Sequence, residues 1–246
     1  MLETIQNMLR EIRCYHSAHE IASIIEQAKQ KDLSYLDFLA ELLQIEMQSR
    51  QKTRVRRFLK LANFPVTRTI DEFDFRFQTS ITRKEVNEWL TFSWLEQKAN
   101  KILMGAPGVG KTHLALGAGY SAVHKGYKVI FFTMQTLMED MIIADKGGHF
   151  NEFLKRLLKN DLIIIDELGY IPFKSIYSNL FFQLINSCYE TVSLLITSNK
   201  LFNEWGILFN DQTLATAILD RLLHHCEPIV LNGDSYRLKN IESNLQ

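Results

Sequence analysis

What the chain lacks narrows it quickly. Only three cysteines, Cys14, Cys188 and Cys226, occur in 246 residues, odd in number and far apart. That pattern builds no disulfide framework and fits a reducing bacterial cytoplasm. Neither sign of charge is in excess, with 28 basic and 28 acidic residues. Global charge therefore predicts no polyanionic partner, and any nucleic-acid binding must come from a local patch. No apolar run is long enough to span a bilayer, so no membrane association is expected. The opening MLETIQNMLREIR carries Glu3 early and has no uninterrupted apolar core, which predicts no secretory signal. Repeats, low-complexity tracts and a G-x-S-x-G nucleophile elbow are absent too. What remains is 46% hydrophobic and 23% charged, enough for a real core in one large domain or a standard domain with an appendage.

Residues 1–64 read as a separate helical N-terminal domain, a candidate for DNA or partner binding. Ile21, Ile24, Ile25 and Ala28 recur at helical steps. Ser34 can cap a helix from Tyr35, with Asp37 as a box-like partner. Leu36, Leu39, Leu43 and Met47 form one stripe along that helix and are expected to be the packed core of a small bundle. Between Arg50 and Lys60 six basic residues occur with no acid. Val55, Phe58, Leu59 and Ala62 share one face there, and Arg50, Arg54, Arg57 and Lys60 lie largely opposite. This is either a solvated face or a contact with the DNA backbone. A membrane-surface role is disfavoured, because the apolar face is short and has no tryptophan.

Phe64-Pro65 ends that helix and opens residues 65–246. A connector carrying Phe64, Phe73, Phe75 and Phe77 is expected to pack on the second domain, with some rings free to border a purine. Thr82 and Glu85 make a capping box. Strands near 102–104, 128–133, 161–166, 192–197 and 228–231 alternate with helices. Their continuous apolar runs predict an α/β fold with a parallel sheet covered on both faces.

The chemistry centres on KILMGAPGVGKT, where Gly105, Gly110, Lys111 and Thr112 match G-x-x-x-x-G-K-[ST]. Glycines let successive N–H groups curl toward phosphate oxygens, and the next helix aims its positive end there. Lys111 suits the β- and γ-phosphates, and the Thr112 hydroxyl suits Mg2+. Asp166 ends an apolar strand, where a magnesium-holding acid belongs, and Glu167 beside it can polarise an attacking water. After the strand VSLLIT, Asn199 reads as a phosphate sensor. Arg221 is either half of a surface pair with Asp220 or a finger reaching an adjacent subunit's nucleotide. Cys14, His16 and His19 lack a second ligand pair for zinc. His224, His225 and Cys226 are consecutive and cannot all face one ion from a helix, so both groups read as structural.

Taken together, GAPGVGKTHLA, LIIIDELGYIPF, LLITSN with FNEWG, and AILDRLLHH with GDSYRLK resemble the IstB-like ATPases. These are helpers encoded beside transposases, related to DnaC helicase loaders and DnaA-type initiators of the AAA+ superfamily. The resemblance covers roughly residues 60–240. It implies an AAA+ P-loop core with a five-stranded parallel sheet and the sensor strand between the phosphate-loop strand and the Asp166 strand. ATP would be held by Gly105, Ala106, Pro107, Gly108, Val109, Gly110, Lys111, Thr112 and His113. Mg2+ would fall to Thr112 and Asp166, catalysis to Lys111, Glu167, the sensor Asn199 and the finger Arg221. The implied partners are double-stranded DNA, further copies of the chain, and a transposase from the adjacent gene. A DnaC-like loader, or an ATP-binding scaffold with negligible hydrolysis, would share the same motifs. The chain ends soon after SYRLK, which implies no helical lid and leaves Arg237 as a substitute contact for the base.

Overall fold

The structure, a computed structural model, describes residues 1–170 and 175–236. The chain divides into two compact units, Met1–Arg57 and Phe58–Gln246.

The first unit contains α1 (Leu2–Glu11), α2 (Tyr15–Lys31) and most of α3 (Tyr35–Ala62). Asp37 N–H donates to Ser34 Oγ at 3.2 Å, and the Ser34 hydroxyl donates to Asp37 Oδ2 at 2.6 Å, so α3 starts at the expected cap. The expected core stripe is wrong. Leu36, Leu39, Leu43 and Met47 are 80%, 49%, 53% and 70% exposed. The buried face of α3 is instead Leu42, with Phe38 and Ile45 beside it, against Ile21 and Ile24 of α2. Leucines on α3 lie on two faces, and only the face meeting α2 is covered.

A buried carboxylate fastens this small core. Glu46 Oε2 accepts from the N–H groups of His16 and Ser17 at 3.1 and 3.0 Å, and its Oε1 accepts from Arg50 Nε at 2.9 Å. Burial by itself would raise the Glu46 pKa. The Ser17 N–H, the Arg50 guanidinium and the His16 N–H outweigh it and hold the carboxyl below its ordinary range.

In the second unit a short helical turn at Ile70–Glu72, α4 (Arg83–Trp89) and α5 (Ser93–Glu96) precede the sheet. Thr82 and Glu85 form the expected box around α4. The α/β alternation follows as β1 (Asn100–Gly105), α6 (Lys111–His124), β2 (Val129–Thr133), α7 (Met134–Lys146) and α8 (Phe150–Leu157). It continues as β3 (Leu162–Leu168), α9 (Ser175–Cys188), β4 (Ser193–Ser198), α10 (Trp205–Leu208), α11 (Gln212–His224) and β5 (Cys226–Leu231). The strands form one parallel sheet in the order β2-β3-β4-β1-β5. β4, the strand that precedes Asn199, thus lies between β1 and β3, the order the resemblance implied. β1 and β4 are buried on both faces around the apolar runs ILM and LLI, and β3 is buried except at Glu167. In a parallel sheet every carboxyl end points to one rim, which brings the loop after β1 and the tips of β3 and β4 together. Among the described residues no helix is long and apolar enough to cross a membrane.

Candidate functional site

The phosphate loop begins where β1 ends. Gly105 has φ +146°, and a Cβ there would run into the Leu231 carbonyl of β5. Gly110, at φ +99°, is the N-cap of α6, and a Cβ there would strike the Phe73 ring. Only glycine meets both demands, so the motif's fixed glycines have local causes. Lys111 opens α6 with its ammonium donating to the carbonyls of Gly105 and Ala106 at 2.7 and 2.8 Å. Its charge is thereby held over the loop.

Beneath the loop the β3 and β4 tips converge. Asp166 is 3% exposed. The Thr112 hydroxyl lies 2.9 and 3.0 Å from its two oxygens, and the Thr197 hydroxyl donates to its Oδ1 at 2.5 Å. Thr197 Oγ1 also accepts from the Glu167 N–H at 3.0 Å. Thr197 therefore joins both acids to β4. The pairing of β3 with β4 shifts register between Ile165 and Leu168, and Glu167 takes φ +66° in that bulge. Such a backbone is costly for a residue with a Cβ, and it turns the Glu167 side chain out of the sheet. A buried carboxylate served by hydroxyls, next to a loop built for phosphate, is a donor set of hard oxygens that fits Mg2+.

Lys111, Thr112, His113, Glu167 and Thr197 line a cleft of about 510 Å³. Val66, Arg68, Phe73, Phe77, Leu116 and Tyr236 line it as well. The residues just after β5 fold back on the loop, where the Tyr236 N–H donates to the Gly108 carbonyl at 3.0 Å. The Tyr236 ring meets Phe77 edge-on at 5.2 Å. Gln78 holds the loop from the connector, donating from Nε2 to the Val109 carbonyl at 3.0 Å. His113 is held by the Thr69 carbonyl at 2.8 Å, and the Thr69 N–H keeps the Glu72 carboxyl below its ordinary range.

Two candidates lie elsewhere. Asn199 does not line the cleft; it sits against Gly169, with its Oδ1 buried and without a hydrogen-bond partner among the described residues. Arg221 lies near the end of α11, its Nε donating to Asn186 at 2.9 Å and its Nη1 to the Ala217 carbonyl at 3.1 Å, over the Phe182 ring. It does not reach its own chain's cleft. On α3, Arg54, Arg57 and Lys60 are exposed, whereas Arg50 is tied to Glu46 and to the Arg13 carbonyl. Arg237 lies outside the described residues. Sequence reasoning missed Thr197, whose signal was one hydroxyl at the end of an apolar run. It also missed Gln78 and Tyr236, which carried no signal of their own.

A family model described as "IstB-like ATP binding protein" matches residues 7–244. A Pseudomonas aeruginosa protein, named after insertion sequence IS21 and ATP binding, is 40% identical over 238 residues, covering 97% of this chain and 90% of its own. A Geobacillus stearothermophilus protein, named after insertion sequence IS5376 and ATP binding, is 38% identical, covering 97% and 95%. Among solved structures, AMPPCP-bound DnaA from Aquifex aeolicus aligns with a TM-score of 0.57 at 23% identity, over 74% of this chain and 55% of that one. A DnaC helicase loader aligns at 0.51 and 21%, over 61% and 87%.

Proposed function

The chain belongs to the IstB-like ATP-binding protein family, and on that premise we propose that it is a Mg2+-dependent ATPase that assists transposition on DNA. In this reading it works as an oligomer in the bacterial cytoplasm, selects or remodels target DNA, and stimulates the transposase of the adjacent gene. The observation that carries the catalytic part is the convergence of Thr112 and Thr197 on buried Asp166, with Glu167 turned out beside them.

The roles follow from the geometry. Loop N–H groups and Lys111 take the phosphates, the ammonium exchanging two carbonyls for phosphate oxygens. Thr112 and Asp166 would hold Mg2+, which when bound neutralises charge on the phosphates. Glu167 orients and deprotonates the attacking water, and Thr197 fixes both acids relative to β4. Asn199, just past the tip of β4, is assigned the phosphate-sensing role; its buried Oδ1 lies beside Gly169 without a hydrogen-bond partner among the described residues. Arg221 cannot serve its own cleft, which supports a finger acting on a neighbouring copy. The exposed Arg54, Arg57 and Lys60 supply the backbone grip on DNA.

The test is ATP turnover by the purified chain with and without duplex DNA across a salt series. Stimulation by DNA that falls steeply with salt supports the proposal. Turnover that survives Lys111→Ala overturns the catalytic assignment, and negligible turnover in the unaltered chain leaves only an ATP-binding scaffold. Co-purification with a replicative helicase instead of the transposase would favour a loader.

A further inference from the structure

Three metal-ligating side chains meet at the rim opposite the phosphate loop. β4 and β5 both start there, flanking the start of β1. Glu190, at φ +53°, lies in the turn between α9 and β4, His224 is the last residue of α11, and His225 links it to β5. Neighbours within a continuous helix point about 100° apart, which is why the run His224, His225 and Cys226 reads as structural in the sequence. The helix, however, stops at His224. His225 takes φ −127° and ψ 68°, and its ring lies 4.2 Å from that of His224. Its Nε2 is 3.6 Å from Glu190 Oε1, and one donor atom from each of the three side chains lies within 4.8 Å of the others.

We propose that Glu190, His224 and His225 bind a first-row transition-metal ion of the zinc class. Two imidazoles and one carboxylate are a zinc donor set with a fourth position left for water, whereas Mg2+ and Ca2+ favour all-oxygen sites. The backbone around the site is already fixed. The Asn100 N–H donates to the His225 carbonyl at 2.7 Å, and the Asn100 side chain bonds the Leu222 carbonyl at 3.1 Å and the Leu194 N–H at 2.9 Å. Tyr189 adds an outer-shell partner, its hydroxyl 2.6 Å from His224 Nδ1. Side-chain rotation alone must bring the donors to the roughly 3.4 Å separations of a tetrahedron with bonds of about 2.0–2.1 Å. All three side chains are exposed, so both that rotation and entry of the ion are open. A bound ion ties the end of α9 to the end of α11, the two helices that Arg221 already joins through Asn186. The site does not depend on the nucleotide reading.

The test uses untagged, metal-free full-length protein titrated with Zn2+ and Co2+ in excess Mg2+. The expected result is one Zn2+ per chain by calorimetry, a low-coordinate visible spectrum with Co2+, and a Tm that rises with Zn2+. The double variant His224→Ala/His225→Ala should keep the metal-free Tm and lose affinity by about 100-fold or more, and Glu190→Gln should lose about 10-fold. A control with His16→Ala and His19→Ala should bind as the unaltered chain does. Absence of stoichiometric binding in the unaltered chain overturns the proposal. So does unchanged affinity in the double variant.

Discussion

The inner residues of β1 and β4, ILM and LLI, are apolar and buried on both faces of the sheet, whereas within the first unit α3 carries two apolar stripes and only one is covered. The difference is one of size and architecture. A parallel sheet between two layers of helices leaves no strand face that could go either way. A unit of three helices has too little surface to cover every apolar side chain it carries, so some leucines stay outside. The chemistry sits in the unit that is over-determined. The less constrained unit holds its helices with a carboxylate as well as with leucines.

The largest expected effect sharpens that contrast by leaving one unit untouched. Lys111→Ala should lower ATP turnover by about 10³-fold, because the charge over Gly105 and Ala106 is removed from the phosphates. Hydrogen exchange of α1 and α2 should not change. A variant that also loosened those helices would break the separation between units.

Next comes a pair of leucines three residues apart. Leu42→Ala should cost about 2–4 kcal/mol in the stability of the first unit, since Leu42 packs on Ile21 and Ile24. Leu39→Ala should stay within about 0.5 kcal/mol, since Leu39 is half exposed. Urea unfolding followed by exchange of α2 amides measures both. Equal losses at the two positions would mean that the outer stripe is covered in solution.

These leucines also show where the sequence could be read. In the α/β unit a strand of apolar residues has only one place to go, so LIIID and VSLLIT could be placed from pattern alone, with the Asp166 tip and the loop beside them. On α3, Leu36, Leu39 and Leu43 fit a helical stripe as well as Phe38, Leu42 and Ile45 do. Only the position of α2 decides between them. Thr197 was hidden for a related reason: its hydroxyl acquires a role only when β4 is known to pair with the bulged tip of β3. Tyr236 depended on the chain turning back over Gly108, which no local pattern encodes. His225 lies one residue past the end of α11, where helix periodicity no longer sets the direction of a side chain.

A smaller effect is expected at the basic part of α3. Arg54→Glu with Arg57→Glu should weaken duplex binding by about 10- to 100-fold at moderate salt and flatten its salt dependence, because two cations are replaced by two anions. Arg50→Gln should weaken DNA binding less, since that guanidinium already serves Glu46 and the Arg13 carbonyl. Fluorescence anisotropy across a salt series reads both. Unchanged affinity in the double variant would remove α3 from the DNA contact and leave the cleft chemistry standing.

The smallest effect is the dependence of the first unit on pH. Glu46 is held below its ordinary pKa in the folded chain by Ser17, Arg50 and His16, against the opposing push of burial. A carboxyl whose folded pKa is depressed contributes stability that is complete above its unfolded value, near 4.5, and fades as pH falls through the folded value. Glu46→Gln keeps the shape of the side chain and removes its charge. It should cost about 1–2 kcal/mol at pH 7, the worth of charge-assisted hydrogen bonds to a buried acceptor. That cost should shrink as the pH falls through the folded value, where the unaltered chain's own carboxyl becomes protonated. Exchange of α2 and α3 amides in both proteins at pH 7 and on the acid side reads the difference. A cost that is the same at both ends would mean that the charge on Glu46 contributes nothing to holding the first unit together.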